Sequence, residues 1–243
     1  MWFAEPERFR ADRLAAMVAD ATGGELHVVL APQPVWSPNE VRASAEDLDR
    51  YSAAPADEPD FAAIAELLCA PPEARYGWIS DNGTGDRLGA LVAGSAEFGL
   101  IAVRDQHDVW IRTFTPKRLS EVLTRLLPRG VPKSGAPPIT VLRSEMLAAS
   151  AEVVGAVRPS ADVRRAERVI ALPPSVVAEF SVETRSGDRR RRSEHPLRVY
   201  DTEHGRWVLR TSSHYGDERL ELAPADMYDV VRLLEELRRE LDV

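Results

Sequence analysis

Apolar positions recur at helical spacing near the start of the chain. Phe9, Leu14, Met17 and Val18 fall on one face between Arg8 and Asp20, and Gly23-Gly24 stops the pattern, so an N-terminal helix is predicted. Prolines at 32, 34 and 38 then impose extended chain. Ser37-Pro38-Asn39-Glu40 has the order of a helix start, serine as cap and proline in the first turn, with the helix reaching about Tyr51. A further helix is predicted from Asp60 through Phe61, Ile64, Leu67 and Leu68, stopping at Pro71-Pro72.

From there the period changes to that of strands. Tyr76 to Ser80, Leu88 to Ala93, Phe98 to Arg104 and Val109 to Phe114 are β-rich runs separated by a few turn residues each. Such short gaps allow antiparallel meanders and exclude parallel crossover units, which need a dozen or more residues. Pro116 then opens a helix whose Leu119, Val122, Leu123 and Leu126 share a face. Residues 129–138, rich in proline and glycine, read as a linker.

Beyond it, Ile139 to Leu142 is a short strand, Ser144 to Val154 a helix and Ala161 to Arg168 a short charged helix. The last third repeats the earlier programme: strands at Val177 to Thr184, Leu197 to Asp201, Arg206 to Thr211 and Arg219 to Leu222, then a helix opened by Pro224. Met227, Val230, Val231 and Leu234 lie at +3, +6, +7 and +10 from that proline, as Leu119, Val122, Leu123 and Leu126 do from Pro116. The predicted fold is therefore α+β, and the length allows one large or two small modules. It has two quasi-symmetric halves, 1–138 and 139–243, each an antiparallel β-sheet followed by an amphipathic helix.

Composition narrows the function. The chain has 31 basic and 39 acidic side chains, net −8, so it carries no overall field that would draw in nucleic acid or an anionic membrane. Leu88 to Val103, the longest weakly polar stretch, is interrupted by Gly89, Gly94, Ser95, Glu97 and Gly99, and stable membrane insertion is not expected. Glu5 and Glu7 interrupt the start of the chain, where a signal peptide would need an apolar core. Cys69 is the single cysteine, which excludes an intrachain disulfide and fits a reducing compartment.

Candidate chemistry is sparse. The glycines at 83, 85 and 89 precede a strand rather than a helix, so a hairpin turn is expected there and not a phosphate cradle. The five histidines form no ligand spacing. His107, His204 and His214 fall at predicted turns, and no metal or cofactor is expected. Arg189 to Arg192 is the densest charge run; a solvated, mobile hairpin tip is expected, with an acidic partner or nucleic acid as the competing readings. Trp78, Trp110 and Trp207 fall in strands, where inward packing competes with a protein-binding surface.

One segment is distinctive. Asp201-Thr202-Glu203-His204-Gly205-Arg206, then a strand, a Gly-Asp turn, Leu222-Ala223-Pro224-Ala225-Asp226 and a terminal amphipathic helix, resembles the EspG family of ESX (type VII) secretion-associated proteins. Leu88 to Ala93, Phe98 to Arg104, Val109-Trp110-Ile111 and the helix closing on Leu126-Leu127-Pro128 are similar to the family's N-terminal sheet and helix. The resemblance implies a single domain over 1–243 and a non-catalytic cytoplasmic chaperone without a cofactor. It would bind a helical ESX secretion substrate, a PE–PPE-like heterodimer or related helical hairpin, and keep it soluble for export. In the family the binding face uses the central sheet, a loop between strands and the C-terminal helices. The matching positions here are the turn Ser80 to Arg87, Trp110 and Arg112 on a strand, and Tyr228 and Arg232 on the last helix. The alternative is a small hydrolase, which requires His107 or His204 to meet a carboxylate in a closed pocket.

Overall fold

The computed structural model describes residues 6–32, 60–116, 118–150, 158–187 and 189–242. Within them the period-two segments pair into one antiparallel sheet of eleven strands. The first half contributes β1 (Glu7–Arg10), β2 (Glu73–Asp81), β3 (Arg87–Gly94), β4 (Gly99–Asp105) and β5 (Asp108–Phe114). The second contributes β6 (Ile139–Leu142), β7 (Val176–Ser186), β8 (Arg189–Arg192), β9 (Leu197–Thr202), β10 (Gly205–His214) and β11 (Asp217–Pro224). The helices are α1 (Ala11–Thr22), α2 (Phe61–Cys69), α3 (Leu119–Thr124), α4 (Arg143–Ser150), α5 (Ala161–Ile170) and α6 (Met227–Glu240).

Strand order is β1-β5-β4-β3-β2-β7-β9-β10-β11-β6, with β8 beside the end of β7. In each half a meander is flanked by that half's own first strand, β1 next to β5 and β6 next to β11. The halves share this single sheet rather than each closing its own, because β2 and β7 pair from Glu73↔Thr184 to Asp81↔Val176. Gly77 permits the close approach: a Cβ there would stand 1.8 Å from the Glu179 carbonyl oxygen.

Pleating sends alternate residues to opposite faces. On one face Leu91, Leu100, Val109 and Ile111 pack under α1 and α2, and Trp207, Leu209 and Leu222 pack under α4 and α5. On the other, Ala90, Val92, Phe180, Val182 and Val199 pack under α3 and α6. β3 is covered on both faces, which is why Leu88 to Ala93 reads as a nearly unbroken apolar run.

Several expectations are corrected. Residues 7–10 form an edge strand, not the first turn of a helix, because Phe9 is buried opposite Val109 and Ala11 N–H donates to the His107 carbonyl. Pro116 does not open α3; Arg118 takes a left-handed φ of 73° and the helix starts at Leu119. Pro224 likewise ends β11, and α6 starts after Asp226, whose carboxylate accepts from Asp229 N–H in a capping box. Arg189 to Arg192, expected as a solvated and mobile tip, is strand β8, paired with β7, and three of its four side chains are exposed. The helix predicted from Ser37 to Tyr51 lies outside the described residues, as does the end of the one predicted to Val154.

The expected linker, 129–138, is largely exposed but is anchored where it begins, and the agent is Arg206, which is 0% exposed. Its guanidinium binds Asp201 across the β9–β10 hairpin through Nε at 2.6 Å and Nη2 at 2.8 Å. Nη2 also donates to the Pro128 carbonyl at 2.9 Å, Nη1 points at Met227 Sδ, and the Arg206 N–H donates to the Pro132 carbonyl. Gly205 completes the joint with φ of 103°; a Cβ there would lie 2.7 Å from the Pro132 oxygen. Thr202 Oγ1 donates to the Gly205 carbonyl and accepts from His204 N–H, closing the turn.

A second buried ionic cluster ties the segment after α1 to the sheet. Glu183, 0% exposed, takes Arg190 at 2.5 Å and stands 3.7 Å from both His27 and Arg185. Burial alone pushes the Glu183 carboxyl up; the hydrogen bond and charge of Arg190, with the nearby His27, together outweigh it and hold the group below its usual range.

Arg206→Met leaves Asp201 buried without its partner and should lower the unfolding free energy by about 3–5 kcal/mol, while R206M combined with D201L should cost much less. Urea unfolding of the three proteins checks this, and a single variant no less stable than the double would refute the role given to the pair. For Glu183 the lowered folded pKa means a contribution present above the ordinary carboxylate range and lost as pH falls through the folded value. Glu183→Gln should therefore be less stable than the wild type at pH 7, with the gap narrowing below about pH 4.5 in pH-dependent urea titrations. A constant gap would contradict it.

Candidate functional site

β5 runs next to the edge strand with the burial alternation of a strand covered on one side. Val109, Ile111 and Thr113 turn inward, and Trp110 and Arg112 turn out. Trp110 lies opposite Val103, which lies opposite Ala90, so it is on the face that carries α3 and α6. It is 41% exposed. The Arg8 guanidinium stacks 5.4 Å from its ring centroid and is fixed there by an ion pair with Asp108. Among the described residues no hydrogen bond or ion pair engages Arg112, so its guanidinium is open to a partner.

The exposure has a geometric cause. Among the described residues α3, six residues long, packs mainly on β2, β3 and β4 and reaches β5 only near Phe114, whereas α6 in the other half is fourteen residues long. Trp110, Arg112, Val103 and Ile101 thus form an open sheet face beside α3. Neither Val103 nor Ile101 is fully buried.

Tyr228 and Arg232 sit one turn apart on α6, whose Val230, Leu234 and Leu237 face the sheet. Tyr228 is 86% exposed. Arg232 is held by Glu236 at 2.6 Å and Asp229 at 3.5 Å, and these carboxylates raise its pKa. It borders a groove of about 430 Å3 between α6, β10, β11 and the 133–138 segment, floored by Val208, Ala223 and Leu233. Burial pushes the Asp229 carboxyl at its rim up, but the hydrogen bond from Lys133 at 2.8 Å, the Asp226 N–H and the charges of Lys133 and Arg232 together more than reverse this. Among the described residues no hydrogen bond, ion pair or ring contact joins the Trp110 and Tyr228 pairs; α3, which contacts β4 and α6, lies between β4 and α6.

The turn Ser80 to Arg87 is a tight hairpin, with Asp81 Oδ1 accepting from Gly83 and Thr84 N–H and Gly85 at φ of 78°. Asn82 ties it to the Pro174 and Ser175 carbonyls before β7. The constellation required of a hydrolase does not assemble among the described residues. His107 is exposed, and His204 meets Glu203 at 3.6 Å with both side chains largely in solvent. No group of three or more His, Cys, Asp or Glu residues among them could hold a metal. Trp207 packs inward and Trp78 is half-buried under Arg87, so of the three strand tryptophans Trp110 alone is exposed.

Sequence reasoning missed β1 and with it the Arg8–Trp110 stack, because a four-residue edge strand running into a helix has no period of its own. It also missed the groove, which is assembled from segments far apart in the chain.

A sequence profile of the EspG family matches residues 10–236. The fold is similar to that of a structure described as the Mycobacterium tuberculosis type VII secretion system chaperone EspG5 in complex with the PE25–PPE41 dimer. The TM-score is 0.70 at 16% identity, covering 98% of this chain and 97% of that one. A Bacillus halodurans structure aligned over 82% of this chain and 86% of its own, at 11% identity, has a TM-score of 0.15 and carries no argument. No curated protein sequence matches this one. At 16% identity the likeness to EspG5 is one of fold, and the profile, which spans nearly the whole sequence, supplies the membership: this chain belongs to the EspG family.

Proposed function

We propose that the protein is a non-catalytic cytoplasmic chaperone of type VII secretion that binds a helical PE–PPE-type substrate and keeps it soluble for export. Family membership supports the class, and EspG5, of the same fold, is described in complex with a PE25–PPE41 dimer. No described helix is long and apolar enough to cross a membrane. The observation that carries the reading is the open sheet face at Trp110 and Arg112, where the short α3 leaves an aromatic ring and a free guanidinium uncovered.

Such a face suits an apolar helical tip. The tryptophan supplies a large rigid contact, Arg8 stiffens it, and Arg112 can pair with a client carboxylate or a C-terminal helix carbonyl. Tyr228 and Arg232 provide a second contact across α3. The net charge of −8 keeps the unloaded chaperone dispersed despite its exposed rings.

The test is titration calorimetry of the purified chain with PE–PPE heterodimers of its source organism. One such pair should bind with 1:1:1 stoichiometry. Trp110→Ala should weaken it by about 2 kcal/mol, roughly thirtyfold in Kd, and Tyr228→Ala should weaken it to a lesser degree. Unchanged melting temperatures would show that both variants fold. Folded variants that bind like the wild type would refute this face, and failure of every such pair to bind would refute the function.

A further inference from the structure

The arginine run has no part in the client face, and its placement is specific. β8 is four consecutive arginines and pairs on one side only, with β7. Its ladder shows which backbone groups remain free. Arg185, opposite Arg190, turns its N–H away from β8 to the Pro72 carbonyl at 2.8 Å, while Ser193, one step beyond the Glu183↔Arg192 pair, donates to the Val182 carbonyl at 2.9 Å. Hydrogen-bonded and non-hydrogen-bonded pairs alternate along an antiparallel ladder. Arg190 and Arg192 therefore turn their N–H and C=O groups to the outer edge, where no described backbone group pairs with them.

The side chains divide by face in the same alternation. Arg190 and Arg192 share a face with Glu183, and Arg189 and Arg191 take the other. One arginine on each face is braced: Arg190 by Glu183 at 2.5 Å and Arg191 by the Leu241 carbonyl at 2.7 Å. The other on each face, Arg192 and Arg189, is exposed and has no ion pair or hydrogen bond among the described residues.

A cationic edge strand repels pairing with a neutral or basic strand, the usual protection of an open sheet edge. Toward an acidic strand the same charges attract. We propose that the outer edge of β8 is a strand-addition site for an extended, acidic segment of a partner protein. The free backbone groups of Arg190 and Arg192 supply the ladder, and the free guanidinia of Arg189 and Arg192 meet carboxylates that alternate between the faces of the added strand. A nucleic acid matches this edge less well, since a phosphate backbone follows one continuous track of cations and β8 offers one free guanidinium per face. The edge is separated from β5 by β4, β3, β2 and β7, so a client on the Trp110 face leaves it accessible.

The experiment is fluorescence anisotropy of the full-length protein with a labelled peptide, Thr-Val-Glu-Glu-Glu-Glu-Val-Thr. It is repeated with the same peptide N-methylated at alternate backbone amides, and with an oligothymidylate of equal charge. The acidic peptide should bind the wild type, and affinity should fall tenfold or more both for the R189Q/R192Q variant and for the N-methylated peptide. Absence of binding would overturn the proposal. So would equal affinity for the N-methylated peptide, which would mean charge without strand pairing, or tighter binding of the oligothymidylate, which would mean a nucleic-acid site. The N-methylated peptide is measured on the wild-type protein, so strand pairing is tested even if the double variant misfolds.

Discussion

Arg206 anchors the crossing between the two halves that the β2–β7 ladder joins. A guanidinium taken fully out of water costs several kcal/mol unless its charge and donors are matched, and here Asp201 matches the charge bidentately while the Pro128 carbonyl takes a further hydrogen bond. The partners come from the β9–β10 hairpin, the end of the first half and, through Met227, the start of α6. The side chain thus fixes in one place the crossing between halves and the entry of the last helix. Gly205 enforces the geometry, since a side chain there would collide with the crossing segment. This accounts for the Asp-Thr-x-x-Gly-Arg pattern in terms of packing: Asp201 and Arg206 pair across the hairpin, Thr202 closes its turn, and Gly205 lets the 132–134 backbone lie against it.

The functional reading depends on an asymmetry. The helix after β5 has six residues before the chain turns toward Pro128 and the Arg206 site, while the helix after β11 continues for fourteen. One half of the shared face is therefore roofed by α6. The other is left open over β5, with Trp110 and Arg112 as its exposed side chains.

Much of this is legible in the sequence, and what is not has physical reasons. The meander strands are strongly periodic and bounded by turn residues, and β2, β3, β5 and β7 lie within a few residues of their predicted limits. Pro116 and Pro224 read as helix openers because proline suits a first turn, but proline also ends strands, and a capping box at Asp226 places the true start of α6. The proline-rich 129–138 segment reads as a linker because local composition does not reveal a buried arginine 70 or more residues away that binds the Pro128 carbonyl just before it and the Pro132 carbonyl within it. Trp110 is one of three strand tryptophans that the sequence leaves between core and surface, and Tyr228 is nominated by resemblance alone; their exposure is a tertiary fact. Glu183 and His27 have no local signal at all, being adjacent only once α1 is docked.

The central claim is that a helical client covers the sheet face left open beside α3. Hydrogen–deuterium exchange of the chain, free and saturated with a PE–PPE heterodimer, tests it most directly. The account predicts new protection in β4, β5 and the first turns of α6, with α1 and α2 unchanged. Protection confined to α1, α2 or the α4–α5 layer, with β5 exchanging as in the free protein, would contradict it.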